Sequence, residues 1–474
     1  MSKYVKYISS SHYGAPPLKG DRYGYFVELL RSCLCTGFNA NDSIISIETI
    51  DLINKKISIA FNDPHTYSVD QTLLIENIQD FQFNGEYKII EIIDAVTIIT
   101  KRRDGIALTT SYSDVPGIAY CKVAPLGFIE AFTSGNISAF TTDEEKAYFV
   151  VNDTKPDAWN IVNDYSQLIN PLVWMTDKLD NLDSPGKYIV PYLASQPTWY
   201  KQQNFQAQFN GQNGLSGNFQ RNGLWQMITA GICSASGNNN TDRQLNNSWT
   251  LIGNGRLFYF IPSVYNTTVN DKKTFIYGFG KINNESTNEN LNYILIAQSA
   301  RYNSDFYNYI QINNNAQSIP LSNVSNPNLS QMCDTDVGNV RAAVLKYKNK
   351  SLAITFHPTK SPIAVSNDTN MVYVSGNKNA QYPDSVNYRY IISNMYVSTD
   401  KGHLLGKLSG FMWTYNPDNN IHYNGAIISY NSINGSGSKK YYVINDNFHN
   451  CYSDSTERFV YNISLNDEDW SNYD

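Results

Sequence analysis

Strict alternation of apolar and polar positions is clearest at residues 56–61, where "KISIAF" sets Ile57, Ile59 and Phe61 on one side of a strand and Lys56, Ser58 and Ala60 on the other. "TLLIENI", "GEYKIIEII" and "VTIIT" follow at short intervals, with Asn84-Gly85 and Arg103-Asp104-Gly105 as turn chemistry. This pattern predicts a small β-barrel or sandwich domain over residues 43–124, with "APLGF" at 124–128 as its exit. One stretch has a helical period instead: Tyr25, Phe26, Leu29, Leu30, Cys33 and Leu34 recur at i, i+3, i+4 spacing until Gly37, with Asp21 in position to cap. Ahead of it, Pro16 and Pro17 hold the backbone extended, so residues 1–42 read as an N-terminal arm followed by an amphipathic helix. The apolar stripe has two readings. It covers the open face of the sheet that follows, the ordinary fate of such a helix, or it docks on a partner.

Farther along, residues 127–153 read as two strands about the acidic loop Asp143-Glu144-Glu145, and the tract to 223 loses its period. It ends in the Gln-, Asn- and Gly-rich "NFQAQFNGQNGLSGNFQRNG", a long loop. Residues 125–223 are therefore expected to be a β segment with an irregular connection. From 224 to 474 the chain is a series of β runs between Asn- and Gly-rich turns, among them "RLFYFI", "FIYGFG", "YILIAQS", "AIISYN", "KKYYVIND" and "RFVYNISL". So many strands must hide their edges, which predicts a large antiparallel, sandwich-like domain. No fixed repeat marks a propeller or β-helix. The fold class is mainly β and multidomain.

Composition adds a bias toward interfaces. The 474 residues hold only 16% charged side chains but 35 Tyr, and Tyr suits half-buried sheet faces and wet contacts. A coding bias toward Asn, Tyr, Ile and Lys accounts for the same numbers. A net charge of −6 argues against a dedicated nucleic-acid binder, and the one basic cluster, Lys101-Arg102-Arg103, reads as a hairpin tip. No apolar run reaches the length of about 20 residues that spans a bilayer, and "MSKYVKYISS" lacks the apolar core of a secretory signal. Synthesis in a cytoplasm without membrane insertion is the expectation.

Candidate chemistry is sparse. The chain has no HExxH, G-x-S-x-G or Walker sequence, its six His are scattered, and Cys33 and Cys35 lack a second ligand pair. The glycines of "GNGRLFYF" and "YGFGK" read as turn or bulge positions. The acidic triplet at 143–145 fits a solvated loop better than part of a glycosidase pair, and Asp334 and Asp336 in "CDTDVGN" read as a turn or, at a stretch, as an oxygen-ligand cation loop without the trailing Glu of a calcium loop. The closing "LNDEDWSNYD" reads as a solvated tail or as a strap onto a neighbour. No catalytic residue, metal or cofactor is assigned.

One set of strings carries a resemblance. "GAPPLKGDRYGYFVELLRSCLCTGF" at 14–38 resembles the Gly-Ala-Pro-x-Leu-x-Gly opening, short helix and terminal Gly-Phe of a family of tailed-bacteriophage virion structural proteins, through Gly14, Ala15, Pro16, Leu18, Gly20, Leu30, Cys33, Leu34, Gly37 and Phe38. The likeness continues in "FNGEYKI" (83–89), "APLGFIEAF" (124–132), "YFVVND" (148–153), "WTLIGNGRLFYF" (249–260), "FIYGFG" (275–280) and "LLGKLSGFMW" (404–413). The chain departs from that pattern in being Asn-, Tyr- and Ile-rich where the family is Ala-, Gly- and Thr-rich, and at Pro17 and Asp21 to Tyr25. The resemblance implies a late structural product, made in the host cytoplasm and carried on the virion. Its implied partners are copies of itself and other tail, neck or baseplate proteins. A receptor-binding tail protein whose aromatic and amide side chains hold host surface glycan is the alternative. From arm and helix together, Pro16, Pro17, Leu18, Tyr25, Phe26, Leu29 and Leu30 are the candidate assembly contacts, and removing residues 1–20 is expected to leave a folded chain that does not assemble.

Overall fold

The computed structural model describes residues 4–20, 22–41, 43–103, 106, 108, 112–114, 119–142, 147–153, 171–176, 179, 225–226, 246–266, 271–274, 276–282, 293–297, 342–347, 350–357, 393–399, 404–416, 425–431, 438–445 and 458–470. Over these residues the protein is mainly β, with antiparallel sheets and one short helix. The sequence-predicted cap Asp21, the turn at 104–105, the acidic clusters at 143–145 and 334–336 and the Gln-rich loop at 204–223 lie outside the described residues.

An eight-stranded antiparallel sheet runs in the order Phe38–Asn41, Tyr120–Val123, Thr72–Glu76, Gly85–Ile92, Thr97–Arg102, Lys56–Phe61, Ile44–Asp51 and Tyr112–Asp114. Alternation sets its faces: Ile57, Ile59 and Phe61 point inward with Ile47, Tyr87, Ile89 and Ile98. Asn84-Gly85 is not a two-residue turn. It ends a loop over residues 77–84 that the Asn84 side chain closes, accepting from Ile78 N–H at 2.8 Å and donating to the Ile78 carbonyl at 2.9 Å.

Residues 127–153 hold three strands rather than two, Ile129–Ser134, Ile137–Thr141 and Tyr148–Asn152. The additional break is the turn at Gly135, whose φ of +57° lies in the left-handed region that glycine tolerates. With Leu172–Thr176 and Trp225–Gln226 they form a five-stranded meander.

The third sheet has thirteen described strands. Its order begins with Lys6–Ser9, then Ser248–Gly253, Leu257–Asn266, Tyr277–Lys281 and Tyr293–Ala297, and it ends with Leu404–Asn416, Arg458–Ser464, Ser438–Asn445 and Ala426–Asn431. Its first half is buried on both faces, which is why "WTLIG" and "LFYFI" are continuous apolar runs without alternation. On one face Phe258, Phe260 and Phe279 meet the helix and the meander: the Phe260 ring lies 5.0 Å from Phe26, Phe258 lies 5.4 Å from Phe128, and Phe279 lies 5.3 Å from Phe149. On the other face the Tyr259 ring meets Phe411 edge-on, centroids 5.2 Å apart, and its hydroxyl donates to the Ser409 carbonyl at 2.9 Å. The sheet therefore folds across itself as a sandwich and adds a third layer on its opposite face.

The closing acidic-aromatic segment belongs to this core. Trp470 is buried, and its indole N–H donates to the Ser464 carbonyl at 2.8 Å. Gly410 makes room for it: a Cβ there would stand 2.1 Å from Trp470 Cε2, on a backbone at φ +65°. Gly410→Ala is expected to cost about 2–5 kcal/mol from overpacking and left-handed strain, read as a lowered melting temperature. The double variant Gly410→Ala/Trp470→Ala should cost less in total than the sum of the two single changes, and strict additivity would contradict the contact.

Candidate assembly junction

The N-terminal arm is a strand of the chain's own large sheet. Lys6–Ser9 pairs antiparallel with Ser248–Gly253, with Ile8 opposite Leu251 and Ser9 opposite Thr250. Beyond it the chain turns over residues 10–14, closed by His12 N–H on the Ser9 carbonyl and Ala15 N–H on that of His12, and the proline segment then runs past the same strand. The Pro16 carbonyl accepts the Trp249 indole N–H at 3.1 Å, Leu18 N–H donates to Asn246 Oδ1 at 2.8 Å, and Asn247 N–H donates to the Leu18 carbonyl at 2.8 Å. Proline has no N–H, so the arm presents carbonyls at Pro16 and Pro17 and leaves donation to its partner.

Charge is buried along this seam. Lys6 is 1% exposed; its ammonium contacts Glu86 Oε1 at 2.5 Å and donates to the Pro125 carbonyl. Burial lowers its pKa, against the pull of Glu86. Arg103 donates to the Val5 carbonyl at 2.6 Å and to Thr72 Oγ1 at 3.2 Å, and it pairs with Asp467, which also accepts Val5 N–H at 3.1 Å. Arg102 is buried too, donating to Tyr87 Oη at 3.1 Å and to the Asn84 carbonyl at 2.7 Å. The basic cluster read as a hairpin tip is thus half inside: Lys101 is exposed, while both arginines fasten backbone carbonyls, because a buried guanidinium must place its donors.

The helix Tyr25–Leu30 continues as a π-helical turn over Arg31–Thr36, closed by Gly37 N–H on the Ser32 carbonyl at 2.8 Å. Gly37, at φ +77°, ends it where the sequence predicts. Its start is capped from far away. Asp153 accepts Gly24 N–H at 2.9 Å and Phe26 N–H at 3.0 Å, filling the role that the sequence offers to Asp21. At the other end Leu126 N–H takes the Cys33 carbonyl, and the Gly127 and Phe128 N–H groups take that of Leu34, each at 2.9 Å. Arg31 reaches sideways to grip Glu130 of the meander, donating through Nε and Nη2, both at 2.8 Å.

Leu18, Phe26, Leu29 and Leu30 therefore lie in the chain's own core, none more than 1% exposed, together with Cys33 and Leu34. The stripe covers sheet, and in this arrangement those four side chains offer no free surface to a neighbour. Pro16, Pro17 and Tyr25 are half-buried, and the Arg22 guanidinium sits 4.0 Å from the center of the Tyr25 ring. Lys6, Arg103, Asp153, Asn246 and Trp249 are not legible as junction residues, because each acts on a partner about 80 to 360 positions away. One signal was present for Lys6. It shares strand parity with Ile8, so a buried face that takes Ile8 takes the lysine stem as well.

Burial pushes the Asp153 carboxyl up to about 7, outweighing the backbone donors, with Glu28 adding a little. The folded chain then keeps a proton that the unfolded chain has lost. Stability from this group is full below its ordinary value of 3.8 and drains away as pH rises through about 7. Asp153→Asn keeps an acceptor for the amides and removes the titration. Its melting temperature relative to the parent should improve between pH 5 and pH 8, and a difference independent of pH would contradict the assignment. His12 has the opposite sense: burial pulls it down to about 4 from 6.5, so its contribution is lost on acidification across that window.

Among the described residues no three His, Cys, Asp or Glu side chains gather to hold a metal ion, and no helix is long and apolar enough to cross a membrane. Compared with known proteins, the chain matches no family model and no curated protein.

Proposed function

We propose that this chain is a structural component of a tailed-bacteriophage virion, tail-, neck- or baseplate-associated, made in the host cytoplasm and joined to neighbouring subunits through its N-terminal arm. It acts by assembly, without catalytic residue, metal or cofactor, and without binding nucleic acid or membrane. One observation carries the reading. The seven strings that resemble the virion family are scattered over 400 residues of sequence yet form one connected set of contacts. Pro16 accepts from Trp249, the helix ends on 126–128 and begins on Asp153, and Phe83, Tyr87 and Ile89 of "FNGEYKI" share one buried core with Leu18, Leu30 and Leu34. "LFYF", "YGFG" and "LSGFMW" then supply Phe260, Phe279, Ser409 and Phe411 to the two faces of the same sheet. A likeness produced by composition alone would have no reason to follow the packing.

Mass spectrometry of purified particles tests the reading. The expected result is this chain at a constant ratio to the tail or neck proteins through successive density gradients. Its presence in infected-cell lysate and absence from purified particles would overturn it.

A further inference from the structure

We propose that the arm, residues 4–18, exchanges between copies of this protein, so that the arm of one copy completes the sheet of the next. The inference deepens the assembly reading above and rests on it for the setting, a particle in which copies stand side by side.

Three features of the molecule support it. First, the arm's receptor is built entirely from residues remote in sequence: Glu86, Arg103, Pro125, Asn246 to Gly253 and Asp467. A second copy presents the same receptor, so every contact the arm makes at home can be made in trans. Second, the chain after the arm is fixed in its own subunit. Phe26, Leu29, Leu30, Cys33 and Leu34 are buried, Asp153 caps the helix start, and Glu130 holds Arg31. Exchange therefore asks for a new path only between Leu18 and Gly24, since Arg22 already belongs to the helix side, pairing with Glu28 at 2.7 Å. Third, the arm is stiffened by Pro16 and Pro17, which lowers the ordering entropy lost when it docks on another copy.

The free arm is not a stable alternative. Detached, it would bare Val5, Ile8 and Leu18 and leave the buried Arg103 without the Val5 carbonyl. The arm must therefore sit in a sheet edge, its own or a neighbour's. Since the contacts are the same, the concentration of neighbouring edges decides between them, so exchange grows as copies are concentrated and is greatest where they stand side by side. Passing an arm from each copy to the next is a head-to-tail contact, which closes into a ring when the rotation permits.

The register supplies the test. Ser10 N–H donates to the Trp249 carbonyl at 2.9 Å, so Ser9 and Thr250, one step along, form a non-hydrogen-bonded pair. Such pairs bring Cα atoms to about 4.5 Å, within disulfide reach. Full-length Ser9→Cys and Thr250→Cys variants with different tags would be co-expressed, concentrated, oxidised with diamide and separated on a non-reducing gel. The expected result is a cross-chain product carrying both tags, at least tenfold above that from either variant mixed with the parent chain. The double variant S9C/T250C shows whether the pair can bond at all. If it closes fully within one chain while the mixed single variants give no cross-chain product, exchange is overturned. If it bonds neither within nor between chains, and Tyr7→Cys with Ile252→Cys also fails, the register behind the proposal is wrong. The assay uses purified protein, so exchange in a chain absent from particles would sink the virion reading alone, and its lack in a chain found in particles would sink exchange alone.

Discussion

A chain lacking residues 1–20 is expected not to reach the native fold. The sequence pattern alone leads to the other expectation, a folded chain that fails to assemble, and the position of the arm reverses it. Truncation strips Ile8 and Leu18 from the core, each worth about 1.5–3 kcal/mol of burial. It also orphans polar groups that burial has already desolvated: Arg103 loses the Val5 carbonyl, the Trp249 indole loses the Pro16 carbonyl, and Asn247 N–H loses that of Leu18. Each such loss costs about 1–3 kcal/mol. Together these are comparable to the about 5–15 kcal/mol by which ordinary domains are stable. The measurement is soluble yield and thermal melting by circular dichroism, with a peptide of residues 1–20 added in trans as the second arm. Recovery of soluble, cooperatively melting protein with the peptide is expected. A truncated chain that melts like the parent would show that the arm is dispensable to the fold.

Phe26→Ala is expected to lower stability by about 3–5 kcal/mol and Leu30→Ala by about 2–5 kcal/mol, whereas Tyr25→Ala should change it by less than about 1 kcal/mol. The contrast follows from direction. Phe26 and Leu30 are fully buried in the hydrophobic core, with Phe26 against Phe260 of the large sheet, while Tyr25 is half-buried beneath Arg22. Chemical denaturation followed by far-UV circular dichroism reads all three. Equal, small effects at the three positions would mean that the helix is a surface attachment and that its stripe is free for a partner.

Local pattern made the β class legible, together with "KISIAF" and the helix from Tyr25 to its end at Gly37, because each depends on residues within one or two turns of one another. The partners of those elements were not legible. The first strand of the large sheet is the arm, whose polar and aromatic residues resemble an unpaired leader, and its neighbour begins at Ser248. Continuous apolar runs such as "LFYFI" give no parity, so nothing local says that Phe258 and Phe260 face the meander and the helix while Tyr259 and Ile261 face later strands of the same sheet. Buried charge misled in the same way. Arg102 and Arg103 carry the local signature of a hairpin tip, and only the folded chain brings Tyr87, Val5 and Asp467 to them. The local sequence offers Asp21 as the helix cap, whereas the capping carboxylate is Asp153, from the far side of the meander's first three strands.

These positions define what an image of the assembled particle must contain. A cryo-EM map of the purified virion, resolved well enough to trace residues 4–38, tests the assembly account most directly. The expected map has this chain in symmetric copies on the tail, neck or baseplate, with each arm strand lying on the Ser248–Gly253 edge of the adjacent copy. A map in which the chain sits singly at the distal tip, its arm folded on its own sheet and an aromatic surface turned outward, would contradict that account and favour recognition of host glycan.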